Sequence, residues 1–408
     1  MKKFWVVFIM TFVMMSLTTL SYASNEISVY LNDDKMIFDV EPIIINNRTM
    51  VPMRKIFENL GATVNWNAET RTVKAEKDTT NLEFTIGSSY MKKNEEQIEL
   101  DSAPVIYKDR TVVPVRAIAE ALDCVVAWNV RERRVDIIAW EKREQKTVKV
   151  SNATELLKEI GSNKRIQLTS EFYDLSSLNL DSIANRHIEK SIFSEEGFVI
   201  KNVYNLTIEG PARIEISDLY ADVLNFENCG VITLKNLTVG HTKPNLADYM
   251  CEGSVIHLEN CNGILIDNCK LFGCGARGIY ADDTIKLECS NTEIYECTYS
   301  GISIDGNTRL KAKNVEIYNQ RAWAIDVDLF ENQVIAEFDN CKIHDITSHC
   351  LIFIFDIYNN SKDKVRIDIN NSEIYNNVYS DLVDGDNKER VFFNNSNVEK
   401  TIREYDNL

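Results

Sequence analysis

The chain has 408 residues, 44% of them hydrophobic, and a formal net charge of −17. That length and apolar content support two or three domains with buried cores. The acidic excess lies mostly in residues 146–408. It excludes a nucleic-acid surface, which needs stripes of Lys and Arg, and suits cations or neutral and basic glycans.

Residues 1–23 read MKKFWVVFIMTFVMMSLTTLSYA. Lys2 and Lys3 precede an apolar stretch, and Ser21-Tyr22-Ala23 is a small-x-Ala cleavage site, which together predict a signal peptide. The mature chain is expected to begin near Ser24 and to be secreted or held at the cell surface. An uncleaved anchor is the alternative, since the stretch is just long enough to span a bilayer. No second apolar run follows, so no transmembrane domain is expected after cleavage.

Residues 24–145 contain a tandem duplication with a period of 62. PIIINNRTMVPMRKIFENLGATVNWN starts at Pro42 and PVIYKDRTVVPVRAIAEALDCVVAWN at Pro104. Each copy predicts an extended run, a polar turn, a short helix opened by Pro52 or Pro114, and two further strands. The RTxVPxR…W pattern resembles the copper amine oxidase N-terminal-like domain of exported bacterial proteins, over residues 36–140. The resemblance implies an accessory domain for attachment to the cell surface or a wall polymer. Copper is not expected, because residues 24–145 contain no His.

From residue 146 the chain is read as mainly β. SNATELLKEIG predicts a short capping helix, with Ser151 or Asn152 as cap and Leu156, Leu157 and Ile160 buried. A phrase then repeats from Asn236, Asn268, Asn291, Asn314, Asn340, Asn371 and Asn395. Its commonest step is 23 residues, which suits one turn of three short strands: a right-handed parallel β-helix. The asparagines form a corner column. Leu271, Ile294, Ile317, Ile343 and Ile374 are read as one inward column, and Ile279, Ile302, Ile325, Leu351 and Leu382 as another. Nine of the ten cysteines fall between Cys229 and Cys350 and are expected to be mostly reduced core fillers.

Two columns carry chemistry. Asp282, Asp305 and Asp328 recur every 23 residues. Parallel stacking sets them about 4.8 Å apart, where carboxylates raise one another's pKa and attract a cation. Asp283 and Asp326 extend this set as candidate calcium ligands. Phe272, Tyr295, Tyr318, His344 and Tyr375 form an aromatic column, either a rail for sugar rings or core filling.

This half resembles the pectate-lyase-like β-helix superfamily. The phrase GHTKPNLADYMCEGSVIHLENC…LFGCGARGI, with His241, Cys251 and Cys274, looks like a recurring motif of its secreted bacterial members. The resemblance implies association with extracellular polysaccharide. In its lyases, calcium-binding aspartates work with an Arg base, for which Arg277 and Arg321 are candidates here. The hydrolase motifs of the superfamily are not matched in order. The expectation is a monomeric polysaccharide-associated protein. The alternative is a polysaccharide lyase or glycoside hydrolase using the aspartate column, with or without calcium.

Overall fold

In the computed structural model the described residues are 26–31, 34–122, 124–129, 133–138, 144–176, 178–242, 252–273, 276–329, 333–356 and 364–399. Residues 1–25, where the signal peptide is expected, and Cys251 and Cys274 lie outside them. The chain forms two compact units, one dominated by Lys35–Leu122 and the other by the chain from Asp136 onward.

In the first unit, two hairpins join into a four-stranded antiparallel sheet. The duplicated strands meet at its centre, with Val113 opposite Val51. Asn46-Asn47 and Lys108-Asp109 turn the hairpins at positive φ, as two-residue turns require. Helices α1 (Met53–Asn59) and α2 (Val115–Ala121) follow. Pro52 and Pro114 close the preceding strands and occupy the N-cap, not the first helical position, because each still pairs in the central ladder. A five-stranded antiparallel sheet, Thr63 to Glu99, completes this part. Arg48 reaches Asp101 and Arg110 reaches Asp39, each at 2.7 Å.

The second unit opens with α3 (Ala153–Glu159). Asn152 Oδ1 accepts from the Glu155 amide at 2.9 Å, and Glu155 Oε2 accepts from the Ser151 amide at 2.7 Å, a reciprocal capping box. Leu156, Leu157 and Ile160 are buried in the coil's core.

The coil itself is a parallel β-helix of two sheets. The seventeen-stranded sheet bends through the Asn corner and supplies two faces; a nine-stranded sheet supplies the third. The third face comprises β1 (Ile188–Lys190), β2 (Phe198–Lys201), β3 (Leu224–Glu227), β4 (Ile256–Glu259), β5 (Arg277–Asp282), β6 (Ser300–Asp305), β7 (Trp323–Leu329), β8 (Cys350–Asp356) and β9 (Asp381–Val383). They pair in that order. Leu271, Ile294, Ile317, Ile343 and Ile374 are at most 1% exposed, as an inward column demands. The other inward column runs through Ile279, Ile302 and Ile325 as expected and shifts by one residue only in its last two turns, where Leu351 is still buried and Leu382 packs against the core. Ile325 pairs with Ile352 and Ile352 with Val383, in place of Leu351 and Leu382. β7 and β8 pair at an offset of 27 residues, against 26 between Asn314 and Asn340, so β8 runs one residue out of step with the repeat phrase.

The corners explain the cysteines. Asn268, Asn291, Asn314, Asn340, Asn371 and Asn395 all sit at φ 50–54°, a left-handed conformation that Asn tolerates. The residue after the Asn points inward and donates to the carbonyl two residues before itself. Cys269 Sγ donates to Asp267 O at 3.4 Å, Thr292 Oγ1 to Ser290 O at 2.7 Å, Cys341 Sγ to Asp339 O at 3.5 Å and Ser372 Oγ to Asn370 O at 2.7 Å. A small donor is the requirement, and a thiol meets it weakly. The corner after the nine-stranded sheet repeats the device with Cys229, Cys261 and Thr284. All eight described cysteines are buried thiols outside any disulfide.

Candidate functional site

Strands β3 to β8 bury alternate residues: Ile256 and Leu258, Ile279 and Ala281, Ile302 and Ile304, Ile325 and Val327. The intervening side chains form two outward rows. One row is Asn225, His257, Tyr280, Ser303, Asp326 and Phe353. The other is Glu227, Glu259, Asp282, Asp305, Asp328 and Phe355, in which Asp282, Asp305 and Asp328 fall side by side as the 23-residue spacing requires.

Burial on this face pushes the Asp282 carboxyl up to about 6, helped by the charges of Asp305, Asp283 and Glu259 and opposed by His257. Burial also raises Asp305, against a hydrogen bond from the Gly306 amide. Gly306 sits at φ +61°, and a Cβ there would stand 2.5 Å from Asp282 Oδ1. Only glycine lets the two carboxyls lie at this turn.

Asp326 belongs to the other row and is 7% exposed. Ser303 Oγ donates to its Oδ2 at 2.8 Å. Burial raises its pKa, while hydrogen bonds from Ser300 and Ser303 and the charge of Arg277 oppose the rise. Asp283 lies at the exposed corner, and its Oδ1 accepts from the Asn307 amide at 2.9 Å and from Asn307 Nδ2 at 3.1 Å. The five candidate calcium ligands are therefore divided between two rows and a turn. Among the described residues no three His, Cys, Asp or Glu side chains form a metal-binding group.

The two candidate arginines also separate. The Arg277 guanidinium lies 4.8 Å from the centre of the Tyr280 ring. Tyr280 OH in turn donates to Asp305 Oδ2 at 3.4 Å. Arg321 is exposed two residues before β7, at the opposite end of that strand from Asp328, so the register does not bring it to the aspartates.

The aromatic column Phe272, Tyr295, Tyr318, His344 and Tyr375 is in register, but it is not an open rail. Successive rings stack with centroids 5.8, 5.1, 5.1 and 4.8 Å apart. Each ring covers its neighbour's face, and Arg213 covers the outer face of Phe272. Edges alone remain for solvent between these rings, which removes the flat surface a sugar ring needs. His344 is held further by Glu316 at 2.9 Å and Asp345 at 2.7 Å. A second aromatic group, not singled out from the sequence, runs along the same face from the starts of β6 and β7 to Phe355, which pairs with Asp328: Trp323 stacks on Phe353 at 4.4 Å, with Tyr299 beside Trp323 and Phe355 beside Phe353. Tyr299 and Phe355 are nearly half exposed.

Sequence reasoning also missed Asp222, His257 and Tyr280. His257 Nδ1 lies 2.8 Å from Asp222 Oδ2, and its ring centre is 4.8 Å from that of Tyr280. A signal existed for His257: in VIHLEN it stands between two inward residues, as Tyr280 does in GIYAD. Asp222 precedes β3 and belongs to no copy of the phrase. His241 of the local motif is wholly buried, with Nε2 on Ala221 O at 2.8 Å.

Residues 177–327 and 254–402 match the family model described as right handed beta helix region, together more than half of the chain. The chain belongs to the right-handed β-helix family. In this β-helix protein, residues 30–137 match the model described as copper amine oxidase N-terminal domain. No curated protein matches the sequence. Similar solved structures include PfbA, a surface adhesin of Streptococcus pneumoniae, at 10% identity over 58% of this chain and 68% of that one, with a TM-score of 0.27. The periplasmic alginate epimerase AlgG matches at 10% identity over 63% and 86%, TM-score 0.26. The catalytic domain of a GH87 alpha-1,3-glucanase matches at 9% identity over 85% and 90%, TM-score 0.25.

Proposed function

We propose that this is an exported protein that binds an extracellular polysaccharide across the outer face of the nine-stranded sheet and hydrolyses it there. The Asp282–Asp305 pair carries the reading. These are two half-buried carboxyls on adjacent turns, and one holds its proton up to about pH 6. Such a carboxyl can protonate a glycosidic oxygen while its neighbour stays ionised. Phe355, in register with Asp328, and the Trp323–Phe353 stack further along the same face offer apolar surface for a sugar chain.

The row of Glu227, Glu259, Asp282, Asp305 and Asp328 repels a uronate and favours a neutral or amino-sugar polymer. This weighs against lyase chemistry, which needs cations to neutralise the substrate carboxylate. Arg277 faces Tyr280 and the buried Asp326. The duplicated first unit serves as an accessory element for surface or polymer attachment.

The test is incubation of the purified protein with neutral, amino-sugar and uronate glycans. New reducing ends are expected from a neutral or amino-sugar polymer. They should fall at least about 100-fold in Asp282→Asn, and Trp323→Ala should raise KM. Binding without new reducing ends would leave a non-catalytic polysaccharide-binding protein. Unsaturated products from a uronate glycan would restore the lyase reading.

A further inference from the structure

We infer that His257, oriented by Asp222, is the base that activates water in this reaction, so that hydrolysis inverts the anomeric carbon; the inference rests on the hydrolase reading above. Asp222 lies two residues before β3. Its Oδ1 accepts from the Ser254 amide at 2.7 Å; its Oδ2 accepts from Asn225 Nδ2 at 2.7 Å and faces His257 Nδ1 at 2.8 Å. A carboxylate pinned in this way accepts and does not donate, so the imidazole must carry its proton on Nδ1. In the neutral ring the Nε2 lone pair is then available, and Nε2 makes no hydrogen bond among the described residues. The side chain is 20% exposed, so water reaches it.

The register supplies the distance argument. His257 pairs with Tyr280 and Glu259 with Asp282. His257 therefore stands one strand across and two residues along from Asp282, about 8 Å between Cα atoms. Side chains stand roughly perpendicular to a sheet, so their tips keep about this separation, which leaves room for a water molecule between base and sugar. Asp305 is the immediate neighbour of Asp282, at about 5 Å, the spacing of a nucleophile. Its oxygens already accept from the Gly306 amide at 2.7 Å and from Tyr280 OH at 3.4 Å.

The remaining histidines are placed differently. His187 and His241 are buried, His344 is ion-paired on both nitrogens, and His349 lies on an exposed turn away from the rows. The groups facing His257 are Asp222, Asn225, Tyr280 and Asp282.

In the step, Nε2 takes a proton from water as the water oxygen bonds to the anomeric carbon. The glycosidic C–O bond breaks with its electron pair on the leaving oxygen, which takes the Asp282 proton. Solvent returns the proton from the imidazolium to Asp282. Glycan and water give two shorter chains, and nothing is oxidised or reduced.

Two measurements on the full protein test this. In ¹⁵N spectra of the imidazoles, neutral His257 is expected as the Nδ1–H tautomer, shifting toward Nε2–H in Asp222→Asn. An Nε2–H tautomer in the parent would overturn the inference. On the glycan that the protein cleaves, the first-formed anomer is expected to be inverted. His257→Gln should lose about 10²–10⁴-fold in kcat at little changed KM, with partial rescue by added imidazole. Retention of configuration, or an unchanged kcat in His257→Gln, would overturn the role of His257 and leave hydrolysis by the aspartates standing. Absence of cleavage of every glycan by the parent would take both readings down.

Discussion

Asn314 shows what one residue does in this coil. It holds φ 54°, donates through Nδ2 to Asn291 Oδ1 at 2.8 Å and accepts from Asn340 Nδ2 at 2.7 Å. Alanine would lose both bonds and strain the corner; glycine would lose the bonds alone. We expect Asn314→Ala to cost about 2 kcal/mol and Asn314→Gly clearly less, read from urea unfolding. Equal costs would mean that backbone strain is irrelevant at this corner. At Asp282 the sign of the pH effect follows from its raised pKa. The native state binds this proton more tightly than the unfolded chain, whose carboxyl titrates near 3.8. The charged carboxyl therefore costs nothing below that value. Its cost grows as pH rises toward 6 and is complete above it. Asp282→Asn should raise stability by about 1 kcal/mol at pH 7.5, after allowance for solvent screening, and by almost nothing at pH 4. A gap between parent and variant that is the same at both pH values would remove the strained carboxylate.

At the scale of the element, each strand carries its own instructions. Alternation sets which side chains face in, a left-handed residue sets where the strand ends, and a small inward donor seals the corner. Cysteine is one of several residues that fill the last role, so Cys269→Ser should cost less than about 1.5 kcal/mol. Its hydroxyl would keep the bond to Asp267 O, as Thr292 Oγ1 does with Ser290 O one turn on. Burial pushes the Cys269 and Cys341 thiols up to about 11 and Cys350 up to about 12. The eight described thiols should therefore resist alkylation in native protein and react in denaturant, as peptide mapping would reveal. Rapid native labelling of Cys269 would contradict the corner packing. The aromatic column belongs to the same scale. Its rings stabilise the outer side of successive strands by stacking on each other, which uses the faces that a ligand would need.

Across the whole molecule, the coil is close to one-dimensional, each turn touching mainly the next. Removal of residues 291–313 joins Ser290 to Asn314 and restores a 23-residue step between asparagines. That variant should still unfold cooperatively with a β-rich circular dichroism spectrum, with Asp328 standing beside Asp282 where Asp305 stood. Removal of residues 291–302 alone should abolish folding, because it takes out about half a turn and the later strands no longer stack on their copies. The parallel β-helix, the Asn corner, the Asp282–Asp305–Asp328 row and the duplicated first unit were legible in the residue order. These depend on spacing and alternation, which near neighbours on the chain encode. The tertiary structure decided which aromatic group keeps open surface, where Arg277 and Arg321 point, and that Asp222 meets His257. That last contact joins residues 35 positions apart, one of them outside any repeat. The strained proton on Asp282 was decided at the same level, since it arises from burial and from charges on three different turns. A periodic chain specifies its backbone locally, whereas a site is a meeting of side chains that only the completed coil brings together.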